Sequence, residues 1–243
     1  MKKQKQPAQN AATNSKPVLR LDWCTHEAAK YAVEKWHYSR TMPVSKNNMI
    51  GIWEDKKYIG CIVFAWGANP NLCKPYGLKM TECVELVRVA MTNHVSPVSR
   101  VVSIAIRMVQ IQNPGIRLLV SFADTSEGHN GGIYQAGNWV YSGRTSPKFD
   151  YMLNGNKLQR RAYTGKNFGA AAMQLPSGAK KVESPFKHRY LYPLDAAMRA
   201  QIEPLRKPYP KRVRSVDSDT SANHAEEGGA NPTRTLSSPE ANQ

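Results

Sequence analysis

The stretch from Ser121 to Gly143, Ser-Phe-Ala-Asp-Thr-Ser-Glu-Gly-His-Asn-Gly-Gly-Ile-Tyr-Gln-Ala-Gly-Asn-Trp-Val-Tyr-Ser-Gly, constrains the fold more than any other segment. Leu118 to Ala123 is an apolar run of the length of a buried strand, and polar residues follow it from Asp124 to Asn130. Side chains in that polar run stand at the C-terminal mouth of the strand, with Asp124 first among them. Asn130 can cap a short helix running to about Ala136, Gly137 can end it in a left-handed conformation, and Trp139-Val140-Tyr141 restarts extended chain. A strand-helix-strand connection without chemistry has the same order of elements, so the residues at the mouth must carry any functional argument.

The chain has 243 residues, of which 41% are hydrophobic, enough for one large domain with tails. No apolar run reaches the length of a membrane span, and the opening Met1-Lys-Lys-Gln-Lys-Gln-Pro lacks the apolar segment of a signal peptide, so the expected location is the cytoplasm with no membrane partner. Cys24, Cys61, Cys73 and Cys83 show no Cys-x-x-Cys spacing, which argues against a zinc ribbon or disulfide scaffold and for buried free thiols. The net charge is +16, unevenly spread. Residues 215–243 carry −4, whereas Ser142 to Arg214 holds sixteen Lys and Arg against four acids. In that half, Lys157, Arg160, Arg161, Lys166, Lys180, Lys181, Lys187 and Arg189 alternate with Tyr163, Phe168, Phe186 and Tyr190, a pattern that suits phosphate contacts beside stacking surfaces.

Three parts follow from composition: a basic, disordered arm over 1–17, a domain over 18–195, and an extension with a disordered tail over 196–243. Within the domain, Val18 to Leu21 reads as a strand. Thr25 caps a helix with Glu27 in its first turn and Ala28, Ala32 and Trp36 on one face, ending at His37-Tyr38. Met49 to Trp53 and Tyr58 to Trp66 flank a hairpin turn at Glu54-Asp-Lys-Lys57, and Cys83 to Met91 supplies a third neighbouring strand. Ser96-Pro-Val-Ser99 opens a second helix with Val102, Ile106, Val109 and Ile111 near one face, ended by Asn113-Pro-Gly115. Asn154-Gly155 within Tyr151 to Arg160 marks a tight hairpin.

Strand, helix, three antiparallel strands, helix, strand, helix, strand resembles the GNAT-type N-acetyltransferase fold from Val18 to Gly143. The fold class expected is therefore α/β of the α+β kind, a mixed, mostly antiparallel sheet flanked by helices. That resemblance implies an acyl-CoA donor, with the pyrophosphate on backbone N–H groups of the loop Thr92 to Arg100. The loop lacks the glycine-rich pattern, and Pro97 has no N–H to give.

A more specific resemblance rests on Trp36-His37-Tyr38-Ser39, Val84-Glu-Leu-Val-Arg88-Val89, Ser99-Arg-Val-Val-Ser103, and Ser121-Phe-Ala-Asp124 leading into Gly131-Gly-Ile-Tyr134-Gln-Ala-Gly. In these residues the chain resembles the Mom family of Mu-like phages. The resemblance implies a DNA modification enzyme that converts adenine to an N6-carbamoylmethyl form and protects phage DNA from host restriction, with double-stranded DNA as partner. It implies catalytic roles for His37, Tyr38, Arg88, Asp124 and Tyr134, contacts from Arg88, Ser99, Arg100 and Ser103 to acetyl-CoA or another acyl-type donor, and iron on His37, Asp124 and Tyr134.

The residue chemistry leaves alternatives open at each position. A histidine after a helix is commonly a satisfied structural group. Asp124 can act as general base toward an amine, with Tyr134 as proton donor to a departing group. Arg88 interrupts an apolar strand and needs a partner, for which Glu85 or Glu82 is available. Reaction at a paired, stacked adenine requires base flipping, and Trp66, Tyr76, Trp139 and Tyr141 are possible stackers as well as core residues. The alternatives are a conventional acyl-CoA-dependent N-acetyltransferase on a protein, tRNA or small amine, and a non-enzymatic basic DNA-binding protein.

Overall fold

The computed structural model describes residues 16–66, 71–146, 148–158, 163 and 173–211. The expected disorder of both tails lies outside the described residues. A compact unit extends to Lys211.

Seven strands form the main sheet: β1 (Leu19–Trp23), β2 (Asn47–Glu54), β3 (Lys57–Ala65), β4 (Cys83–Met91), β5 (Leu118–Asp124), β6 (Val140–Arg144) and β10 (Lys187–Pro193), in the order β1-β2-β3-β4-β5-β10-β6. Every neighbouring pair is antiparallel except β4 with β5. The expected mixed, mostly antiparallel sheet is thus what the chain forms. A second sheet holds β7 (Lys148–Leu153), β8 (Asn156–Leu158) and β9 (Lys180–Ser184), in the order β8-β7-β9. Both hairpin turns read from the sequence are present, with positive φ at Asp55 and Lys56 and at Asn154 and Gly155, matching the right-handed twist of the strands they join.

Helices α1 (His26–Trp36) and α4 (Ala196–Ile202) cover one face of the main sheet, and α2 (Val98–Gln112) and α3 (Gly132–Ala136) the other. The alternation of strand side chains divides them between these layers. Ile62 and Phe64 of β3 pack with α2, whereas Cys61 and Val63 pack with Ala29, Ala32 and Val33 of α1. Thr25 caps α1 by accepting the Ala28 N–H at 3.3 Å. On α2, Val102, Ile106 and Val109 are buried as the periodicity indicates, but Ile111 is 82% exposed because it has rotated past the apolar stripe. All four cysteines are free thiols, three of them buried.

The connection around α3 differs from its sequence reading in two details. Gly131, at φ 82°, is the N-cap, and Asn130 supports it from one residue before by accepting the Gly132 N–H at 3.2 Å. A Cβ on Gly131 would lie 2.2 Å from the Tyr190 ring, so the ring's packing accounts for glycine here. At the other end, Gly137 has φ −92°, and the left-handed residue is Asn138.

Gly60 is the tightest backbone approach in the sheet. Its φ is +153°, and a Cβ would stand 2.1 Å from the Ala90 carbonyl oxygen of the paired strand. Gly60→Ala must therefore separate β3 from β4, and we expect a loss of about 2 kcal/mol or more, read as a lower urea midpoint. An unchanged midpoint would show that the two strands separate there without penalty.

Candidate active site

The site arises where β4 and β5 part. They pair only from Cys83 opposite Leu118 to Leu86 opposite Ser121. Beyond that point β4 continues along β3 and β5 continues along β10, so a wedge opens between them. A register shift against β3 between Val63 and Phe64 inserts Val87 as an extra residue in β4 and turns the strand just before Arg88.

Ser121 closes the apex. Its Oγ lies 2.7 Å from the Leu86 carbonyl oxygen and 2.7 Å from the Tyr134 phenol oxygen. The carbonyl can only accept, so Ser121 gives its proton to Leu86 and Tyr134 donates to Ser121. The Tyr134 side chain is buried, and burial pushes its pKa up to about 12, with Ser121 opposing. At neutral pH Tyr134 therefore holds its proton, as a proton donor must.

His37 and Tyr38 come from the segment that leaves α1. The His37 ring is buried, and its Nδ1 accepts the Ser39 backbone N–H at 3.1 Å, with Ser39 Oγ at 2.8 Å. Burial first, then the Arg88 and His129 charges, lower the His37 pKa to about 4, so the ring is neutral at pH 7. With Nδ1 accepting, the neutral ring carries its proton on Nε2 and acts there as a donor. Tyr38 stacks on His37 with ring centroids 4.3 Å apart and meets His129 edge-on at 5.2 Å. Its pKa is raised by burial and by the nearby Asp124 charge, with Arg88 opposing. It is nonetheless 42% exposed, which leaves part of the phenol ring open to a ligand.

Arg88 has carbonyl partners where a carboxylate was expected. Its Nε and Nη2 donate to Thr41 O at 3.1 and 3.0 Å, and Nη1 donates to Val87 O at 2.7 Å. Glu82 instead accepts the Lys79 backbone N–H, while Glu85 acts on Arg88 through its charge. The guanidinium stays a cation beside His37 and Tyr38.

Asp124 terminates β5 at the wedge mouth. Its carboxylate pairs with Lys187, the residue opposite it on β10, and accepts from Ser126 N and Oγ at 3.1 and 2.7 Å. Burial would raise its pKa, but Lys187 and Ser126 outweigh burial and hold the carboxyl below its ordinary value. The group is thus ionised and weakly basic.

The structure brings His37, Tyr38, Arg88, Asp124 and Tyr134 into one electrostatically linked cluster with Tyr38 at its centre, since Tyr38 feels or affects each of the others. Sequence reasoning missed Ser121, His129 and Lys187. A hydroxyl in the apolar run Leu-Leu-Val-Ser-Phe-Ala was a usable signal for Ser121. Lys187 enters only through strand register, which the linear sequence does not display.

Iron on His37, Asp124 and Tyr134 is not supported by this arrangement. His37 presents N–H rather than a lone pair at Nε2, the Lys187 ammonium sits against the Asp124 carboxylate, and Tyr134 is a protonated phenol bound to Ser121. The Arg88 cation beside His37 opposes a metal ion further. Among the described residues, no group of three or more His, Cys, Asp or Glu could hold one.

The expected donor-binding residues divide in the same way. Arg88 is in the wedge. Ser99, Arg100 and Ser103 lie in the first turns of α2, where Ser103 Oγ donates back to Ser99 O at 2.9 Å and Arg100 is exposed. In the loop before α2, Glu54 accepts the Val95 N–H at 3.0 Å and the Ser96 N–H at 2.7 Å. Burial would raise the Glu54 pKa, but these donors and Ser96 hold it low. A buried protein carboxylate thus occupies the backbone N–H groups of Val95 and Ser96. The same loop, through Met91 to His94, lines an open groove of about 500 Å³ with Trp36. Of the suggested stackers, Tyr76, Trp139 and Tyr141 are buried in the core, and Trp66 is half-buried against it.

Solved structures that this chain resembles include three acetyltransferases. A GNAT family acetyltransferase from Elizabethkingia anophelis with acetyl-CoA bound is 12% identical, covering 72% of this chain and 98% of that one, with a TM-score of 0.38. An IAA acetyltransferase from Bacillus cereus is 13% identical over 73% of this chain and 100% of its own, with a TM-score of 0.40. A putative acetyltransferase from Acinetobacter baylyi is 11% identical over 74% and 94%, with a TM-score of 0.42. At these scores the fold rests on the strand order and the parted β4–β5 pair. In sequence, the methylcarbamoylase mom of Escherichia phage Mu is 26% identical over 141 residues, 56% of this chain and 58% of that protein. The chain therefore matches little more than half the length of this curated relative. The Mom protein family matches residues 18–211, a span that includes every wedge residue described above, and the chain belongs to that family.

Proposed function

We propose that this chain is a DNA modification enzyme that converts adenine to its N6-carbamoylmethyl form in phage DNA and so protects it from host restriction. The family match over residues 18–211 carries this reading. The adenine must leave the duplex stack to be reached, and the half-exposed Tyr38 ring offers a surface on which a flipped base can lie.

The wedge supports transfer of the carbamoylmethyl group from a donor X–CH2–CO–NH2, in which X is the leaving group, in the following way. N6 attacks the methylene carbon of the donor, the N6–CH2 bond forming as the bond from CH2 to X breaks, and the new bond makes the attacking amine acidic. A weak, permanently ionised base then suffices to take its proton, and Asp124 fits that role. His37 Nε2–H and Arg88 bind and polarise the carboxamide oxygen of the donor, which holds the methylene carbon in line for attack. As the bond to the leaving group breaks, Tyr134 supplies that group's proton, the phenol turning from Ser121 to do so. The satisfied Val95-Ser96 loop weighs against acetyl-CoA bound in the usual acetyltransferase manner, and therefore against the conventional N-acetyltransferase.

Two products share one composition. Attack on the acyl carbon of a glycine-derived donor gives N6–CO–CH2–NH2, whereas the carbamoylmethyl group is N6–CH2–CO–NH2. The test is to produce the chain in bacteria, digest total DNA to nucleosides and determine the connectivity of any modified deoxyadenosine by fragmentation and NMR. A carbamoylmethyl adduct absent from vector controls is the expected outcome. An amide adduct would replace the assigned product, and unmodified DNA alongside soluble, folded protein would refute the activity.

A further inference from the structure

The second sheet is an insertion with a defined starting place. Residues 145–186 leave the main sheet after β6 and return at β10. Arg144 pairs with His188, and Lys187 pairs with Asp124, so the insertion departs and returns at the end of the sheet that carries the wedge mouth. It is anchored there: Thr145 N–H donates to Lys187 O at 2.9 Å, Lys187 N–H donates to Thr145 Oγ1 at 3.0 Å, and Thr125 of the segment after Asp124 donates to Phe186 O. The insertion therefore projects beside the mouth through which a base must enter.

Its charge and surface suit a polyanion. The insertion holds seven Lys and Arg against two acids, a more basic balance than the 34 against 18 of the whole chain. Among its described residues none is buried, so this sheet shows no packed core of its own. Strand β9 is one of its two edges among the described strands, and Lys180 and Lys181 are both exposed on it. Aromatic rings stiffen the adjoining cations: Lys181 Nζ is 4.0 Å over the Phe149 ring, and the exposed Arg144 guanidinium is 4.2 Å over Phe186 at the base of the insertion.

We propose that the β7–β9 sheet is a duplex-binding arm that grips the DNA phosphate backbone beside the target adenine while the base enters the wedge. This rests on the DNA-modifying function proposed above. Phosphate contacts of this kind fix register without reading sequence, which leaves discrimination of the base to the wedge. Because Lys180 and Lys181 are exposed on the second sheet, outside the wedge, they should affect affinity rather than turnover.

The experiment uses the full chain and its Lys180→Ala/Lys181→Ala variant, with matching urea midpoints, and a fluorescein-labelled duplex of about two helical turns. Anisotropy titrations across salt concentrations give the slope of log K against log salt. Losing two phosphate contacts should reduce that slope by about 1.8 and weaken binding roughly tenfold in moderate salt, with turnover at saturating duplex unchanged. An unchanged slope in a wild type that binds duplex overturns the arm while leaving the proposed function standing. A wild type without salt-dependent duplex binding overturns both. An unchanged duplex slope with a reduced slope for a structured RNA hairpin would give the arm an RNA partner and refute the proposal. A Lys180→Arg/Lys181→Arg variant should restore the wild-type slope, and failure to do so would also count against charge as the cause.

Discussion

Asp124→Asn is expected to lower adenine modification by roughly 100- to 10,000-fold, the usual range for removing a positioned general base. The substitution preserves shape. Asn Oδ1 can still accept from Ser126 N and Oγ, which hold the present carboxylate at 3.1 and 2.7 Å. It removes the charge that pairs with Lys187 and the carboxylate lone pairs proposed to take a proton from the attacking amine. The Lys187 ammonium is 45% exposed and stays hydrated when its partner is neutralised, so the stability change should remain about 1 kcal/mol or less. The measurement is the ratio of modified to unmodified deoxyadenosine in DNA from cells producing wild type or variant at equal soluble levels, with urea midpoints for both. Modification within threefold of wild type would remove Asp124 as the base and leave Lys187 or His129 as the residue to test at that mouth.

Asp124 also shows how far the sequence could be read. Its position at the end of an apolar strand was evident from residue pattern alone, because a switch from apolar to polar residues marks where a buried strand meets solvent. The thiol state, the helix starts at Thr25 and Pro97 and the Asn154-Gly155 turn were legible for the same reason: each depends on neighbours in sequence. The pairing of Asp124 with Lys187 was not, since it depends on β10 inserting between β5 and β6, a non-local choice that no periodicity encodes. The carbonyl partners of Arg88 were hidden similarly. Thr41 lies 47 residues away, in a segment whose course is set by the turn after α1. The iron reading lacks support on electronic grounds that sequence does not show: which nitrogen of His37 carries the proton depends on a single backbone N–H from Ser39.

The protonation of His37 leads to the second large effect, a loss of stability in mild acid. Burial and the Arg88 and His129 charges lower its folded-state pKa from 6.5 to about 4. Between those values the unfolded chain binds a proton at this ring and the folded chain does not, so unfolding is favoured as pH falls. The stabilising contribution is complete above pH 6.5 and is lost progressively down to about pH 4, reaching about 3 kcal/mol at most. His188, also lowered by burial and by Arg144, acts in the same direction, whereas the depressed carboxyls of Asp124 and Glu54 lose their contributions at lower pH. Wild type therefore has to be compared with His37→Gln, which removes one titration and leaves the others. Urea midpoints from pH 7.5 to 4.5 should fall more steeply for wild type, so that the variant gains on it as the solution becomes acidic. Parallel curves would mean that the folded ring accepts a proton near its ordinary pKa, and the role of His37 Nε2–H as a fixed, neutral donor would fall with it. The same neutrality makes a kinetic demand: the pH profile of modification should show no step near 6.5 assignable to His37, because a ring that is neutral throughout that range has nothing to titrate.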